Sequence, residues 1–108
     1  MISDRDRLTH ILEAAEKITL YGKRDRNDEI VFDAIVRQLA VIGEAVRHLS
    51  PSLRKRYDGI PWKSIVGLRN LVIHEYFIVS GDRIWKIVDA DIPQLHPKIR
   101  NIISSLSA

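Results

Sequence analysis

A chain of 108 residues and 12.4 kDa, with 45% hydrophobic and 29% charged residues, has the composition of one ordinary globular domain spanning 1–108. Its net charge of +3 and pI near 9.4 suit an anionic partner such as RNA without demanding one. The absence of cysteine excludes disulfides, thiolate nucleophiles and cysteine-based zinc sites, and makes a reducing cytoplasm the simplest location. The N-terminus is charged from Asp4 and lacks the apolar core of a signal peptide. The longest purely apolar run, Leu39 to Ile42, is far short of the roughly 20 residues that span a bilayer.

Ser3 followed by Asp6 reads as a capping box, and Leu8, Ile11, Leu12, Ala15 and Ile18 recur at the spacing of one helix face. This predicts a first helix from Asp4 to Leu20, stopped by Gly22 in a left-handed conformation. Asn27 is the expected N-cap of a second helix, with Asp28 and Glu29 complementing its dipole. Val31, Ala34 or Ile35, Gln38 or Leu39, Ile42, Ala45 or Val46, and Leu49 give that helix a stripe about six turns long, which makes it the spine. It ends before Ser50-Pro51, and Leu53 to Tyr57 is expected to form a helical turn. Pro61 suits the first position of a third helix running to about Phe77. Ser80 is the expected cap of a last helix bearing Ile84, Ile87 or Val88, Ile92, Leu95, Ile99, and Ile102 or Ile103. Pro93 interrupts its stripe without dephasing it, which predicts a kink or a restart capped by Asp91. Amphipathic helices joined by short connections predict an all-α, antiparallel four-helix bundle with a kinked last helix.

Chemistry concentrates in the third helix, where Arg69, Asn70, His74 and Tyr76 interrupt an apolar segment. With Arg69 at zero, Asn70 lies at about 100°, His74 at about 140° and Tyr76 at about −20° around a regular helix. Arg69 and Tyr76 therefore share one face, and Asn70 and His74 a neighbouring one. Apolar residues on nearly every side imply that the motif face is covered again, by a second copy of the chain. The bland alternative is a satisfied polar network between helices. The chemistry that fits best is cleavage of RNA: arginine presents a planar fork to phosphate oxygens, and histidine can take or give a proton near neutrality. One chain supplies a single motif histidine, so acid and base together require a homodimer that sets two third helices against each other.

The segment Pro61-Trp62 through Gly67-Leu68-Arg69-Asn70 to His74 and Tyr76 resembles the HEPN signature, an arginine followed after four to six residues by a histidine. The tyrosine two positions after the histidine resembles that of HepT-type (DUF86) toxins, as do Ile42-Gly43-Glu44-Ala45, Trp85 and Asp91-Ile92-Pro93. The resemblance implies a homodimeric, metal-independent ribonuclease toxin needing no cofactor, in which Arg69, His74 and Asn70 are catalytic. It also implies a minimal nucleotidyltransferase antitoxin that transfers AMP to Tyr76, where an attached phosphate could occupy Arg69. Members of the HEPN class without nuclease activity exist as well, so the alternative expectation is a non-catalytic binding module whose same face docks a nucleotidyltransferase partner or a nucleotide.

His74-Glu75 opens like a zinc-protease HExxH, but Ile78 stands where the second histidine belongs. His10, His48 and His96 are dispersed, and Glu44 with His48 reads as an ordinary helix pair rather than a metal site. Glu44 is expected to be a structural partner of Arg69 or of a loop amide rather than a catalyst. Arg47, Arg54, Lys55, Arg56 and Lys63 form a basic cluster that is a candidate RNA contact or simply a solvated surface.

Overall fold

The computed structural model describes residues 2–78 and 81–107, with the side chains of 74–78 and 107 outside that description. The expected cap Ser80 lies outside the described residues. All of the regular structure described is helical. Helix α1 spans Asp4–Tyr21, α2 Glu29–Arg47, α3 Pro51–Arg56, α4 Trp62–Val66, α5 Leu68–Ile78, α6 Asp82–Lys86 and α7 Ile92–Ser107, with a π-helical turn over Ile87–Asp91. They form an all-α bundle whose third and fourth members are each subdivided.

Local signals place several helix ends. The Ser3 hydroxyl accepts from the Asp6 amide at 3.1 Å and the Asp6 carboxylate accepts from the Ser3 amide at 3.2 Å, completing the capping box. Ser50 caps α3, whose Pro51 occupies the first turn. The same Ser50 donates its amide and hydroxyl to the Asp4 carboxylate at 2.9 and 2.6 Å, tying the start of α1 to the start of α3. Asp28, not Asn27, caps α2, accepting from the Ile30 amide at 2.9 Å. Two good capping residues stand side by side there, and the one whose backbone is extended takes the role.

Gly22 departs from the expected left-handed stop: its φ is −64°. Its small size is what the site uses, because a Cβ there would lie 3.0 Å from Val88 Cγ1 and 3.2 Å from the Ile18 carbonyl oxygen. The third helix is not continuous from Pro61. Pro61 is the N-cap of α4 rather than its first residue, and the helix is interrupted at Gly67 before α5 begins. The predicted break near Pro93 takes the form of the π-helical turn, in which the Ile92 amide donates to the Ile87 carbonyl five residues back. The turn delivers the chain into α7 just before the proline, which has no amide to donate to the preceding turn.

The core lies along α2. Leu8, Ile11, Ile18, Ile35, Leu39, Ile42, Val46, Ile84 and Ile99 have no exposed surface, and each such side chain stabilises the fold by about 1.5–3 kcal/mol. Helix α2 packs against α1 on one side and against α4 and α5 on the other, while α7 lies along α1.

The approach of α4–α5 to α2 is closest at Gly43, which is buried. A Cβ at that position would sit 3.1 Å from the Ile65 carbonyl oxygen, 3.3 Å from the Arg69 amide nitrogen and 3.4 Å from the Val66 carbonyl oxygen. Glycine inside a helix costs about 1 kcal/mol relative to alanine, yet forcing a methyl against a rigid backbone costs about 1–3 kcal/mol. Gly43→Ala should therefore lower the urea midpoint, whereas Gly59→Ala, with nothing within 4 Å of its Cβ, should leave it unchanged or raise it.

Candidate active site

One face of α2 carries Asp33, Val36, Arg37, Ala40, Glu44, Arg47 and His48 at intervals of three and four residues. Across from it, α5 presents Arg69 and Ile73, one helical turn apart. Between the two helices lies an open groove of about 360 Å³ with Val36, Ala40, Val72 and Ile73 among its lining and Arg37 and Arg69 beside them. Ile73 is 48% exposed, a large apolar side chain facing outward next to the motif arginine.

Arg69 is exposed, and its Nη1 donates to Glu44 Oε2 at 3.2 Å. The structural partnership expected of Glu44 is thus present. Its other oxygen, Oε1, lies 3.0 Å from His48 Nε2 and 3.8 Å from Arg47 Nη1, so one carboxylate gathers an imidazole and two guanidinium groups. The hydrogen bond from His48 comes first in holding the Glu44 carboxyl below its usual 4.5, helped by the charges of Arg47 and Arg69 and opposed by partial burial. Asn70 is exposed as well. Arg69 and Asn70 are therefore not members of a buried polar network, and among the described residues Glu44 is the one ion-pair partner of the arginine fork.

His74 and Tyr76 lie on the same unbroken helix α5, five and seven residues beyond Arg69. Their side chains are outside the described residues, so the predicted arrangement of the four motif groups is set by the backbone alone. The remaining basic candidates do not stay together. Arg47 joins Glu44 beside Arg69. Arg56 stacks near the Tyr57 ring and lines a different groove with Asp4 and Leu106. Arg54 is half-buried, with its Nε enclosed and unpartnered among the described residues, while Lys55 and Lys63 are exposed.

Two tryptophans act as supports. Trp62 is buried, and its indole N–H donates to the carbonyls of Arg54 at 3.1 Å and Tyr57 at 3.0 Å, fixing α4 to the end of α3 and so placing the entry to α5. Trp85 lies under the Arg26 guanidinium at 4.5 Å and against Phe32 at 6.0 Å, and Arg26 forks onto the Asp89 carboxylate at 2.8 and 2.7 Å. Among the described residues no three His, Asp or Glu side chains gather as a metal site, and no helix is long and apolar enough to cross a membrane. His96 instead faces Glu16 at 3.6 Å.

Sequence reasoning overlooked Arg37 and gave Gly43 no physical role. The available signals were a lone glycine inside a strong helical stripe and an arginine seven residues before Glu44, two turns away on the same face.

The sequence profile described as "Ribonuclease HepT-like" matches residues 5–102. A protein of Caldanaerobacter subterraneus subsp. tengcongensis named "Putative RNase" is 36% identical over 108 residues, covering 95% of this chain and 96% of its own. The "Probable ribonuclease HepT" of Thermococcus cleftensis is 31% identical over 105 residues, covering 93% and 96%. A Methanocaldococcus jannaschii protein named "Gamma-glutamylcyclotransferase and putative RNase" is 36% identical over 104 residues; 92% of this chain matches, but it spans only 47% of that larger protein. No solved structure matches the chain.

The Glu44 cluster has a measurable signature. Because the folded-state value lies below the unfolded one, its stabilising contribution is complete above about pH 4.5 and is lost as pH falls through the folded value. A carbon-13 titration of the Glu44 carboxyl should give a midpoint below 4.5 that rises in both His48→Ala and Arg69→Ala, with the larger rise in His48→Ala.

Proposed function

The chain belongs to the ribonuclease HepT-like family, and from that premise we propose that it is a metal-independent endoribonuclease acting as a homodimer. The observation that carries this reading is the exposed Arg69 on α5, the helix that also bears His74. The exposed Ile73 beside it favours burial of the α5 face against a second copy.

In this mechanism the His74 imidazole of one copy takes the proton of a ribose 2′-hydroxyl. The 2′-oxygen attacks the adjacent phosphorus, the bond to the 5′-oxygen breaks, and that oxygen takes a proton from His74 of the second copy. The products are a 2′,3′-cyclic phosphate and a 5′-hydroxyl end. Arg69 stabilises the negative charge gathering on the phosphoryl oxygens, for which it exchanges Glu44. Asn70, one turn before His74, orients the imidazole or the phosphate.

The same reading makes the protein a cytoplasmic toxin whose partner is a minimal nucleotidyltransferase antitoxin. That partner joins the Tyr76 phenolic oxygen to the α-phosphorus of ATP, releasing pyrophosphate and leaving AMP on α5. On an ideal helix Tyr76 shares a face with Arg69, so the added phosphate reaches the arginine that would otherwise hold RNA.

Labelled RNA incubated with the protein in EDTA should be cut, and His74→Ala should slow cutting by about 10²–10⁴-fold. Equal products from wild type and variant would leave a non-catalytic binding module. After co-expression with a nucleotidyltransferase encoded beside it, intact-mass analysis should find AMP on Tyr76 and none on Tyr76→Phe; an unmodified Tyr76 removes the regulatory claim.

A further inference from the structure

Beyond the motif, the α2–α5 groove contains an arginine to which no role has yet been given. Arg37 is exposed and makes no ion pair or hydrogen bond among the described residues, unlike Arg69 and Arg47, which share Glu44. It lines the same groove as Arg69, above an apolar floor that includes Val36, Ala40 and Val72. A strand of RNA needs both features: cations for its phosphates and an apolar surface for an unstacked base.

We propose that Arg37 is a substrate-positioning residue, which binds the backbone phosphate next to the scissile one while the intervening base lies on the floor of the groove. Arg47, Arg69 and Arg37 then form a track along α2. Its ends are roughly 15 Å apart at the helix rise of ~1.5 Å per residue, the length of a short run of nucleotides. Asp33, which also lines the neighbouring groove beside Trp85, sets the far limit of the track by repelling further phosphate. The occupant is single-stranded RNA, because a duplex would keep its bases stacked away from the apolar floor. This assignment rests on the ribonuclease reading above and adds to it where the substrate runs.

Arg37→Ala, Arg37→Lys and the control Arg100→Ala, an exposed α7 arginine, should be compared for cleavage of a single-stranded oligoribonucleotide over a salt series, with the oligomeric state of each measured alongside. Arg37→Ala should raise KM about tenfold at low salt with kcat within about twofold, and Arg37→Lys should recover part of the loss. The slope of log KM against log salt should fall by about 0.7, the value of one single-strand phosphate contact, while Arg100→Ala stays at wild type. An unchanged KM and slope in Arg37→Ala, with wild type still cutting RNA, would overturn the assignment and leave the nuclease reading standing. Dissociation of Arg37→Ala to a monomer would equally overturn it, by showing that a second copy of the chain fills the groove. No cleavage by wild type would instead fail the nuclease reading. In that case, binding of the same oligonucleotide by wild type and Arg37→Ala decides the track by itself, with equal affinity counting against it.

Discussion

The spacing between α2 and the α4–α5 junction is set at Gly43, where the backbone of the junction occupies the volume of an absent side chain. The site depends on this contact. It brings the Arg69 amide close against α2, so the next residue, Glu44, can reach the Arg69 guanidinium, and the helices then diverge enough to leave the groove beside them. Trp62 supports the junction from the other end through its two hydrogen bonds to the end of α3. A rigid backbone contact of this kind fixes geometry more tightly than flexible side chains could.

Stability and chemistry occupy separate parts of the molecule. Among the described residues no polar or charged side chain is buried, and the core is built from aliphatic residues with one tryptophan. The charged groups beside the motif arginine are at the surface, arranged around one carboxylate. Bringing Arg47 and Arg69 together without Glu44 would cost repulsion, and Glu44 offsets it in the resting protein. The same carboxylate holds the Arg69 guanidinium in place through one oxygen and keeps His48 and Arg47 as partners of the other.

Those parts of the fold that obey short-range rules were legible in the sequence. The stripes of α1 and α2 and the Ser3–Asp6 box each follow from periodicity or from one side chain meeting a nearby amide. The misplaced features have tertiary causes: Gly22 is small because Val88 lies over it, and the third helix divides where its junction meets α2 at Gly43. At the site, Arg69 and its partner Glu44 could be read from charge and helix phase, since each belongs to a marked segment. Arg37 shares a helix face with Glu44 in the sequence, but only the packing of α2 against α5 puts it into the groove of Arg69.

The Arg26–Asp89 fork joins groups 63 residues apart, and the Asp4–Ser50 clasp joins groups 46 apart. In a growing chain the Asp4–Ser50 clasp is available once α1 and α2 have been made, whereas the Arg26 fork waits for Asp89. Until Ile84 and Ile99 arrive, the apolar faces they will cover remain open to water. Contacts of this range make the packing of the last helices the step that closes the core over α1 and α2. The α2–α5 face is therefore a defined surface only once these late contacts have formed.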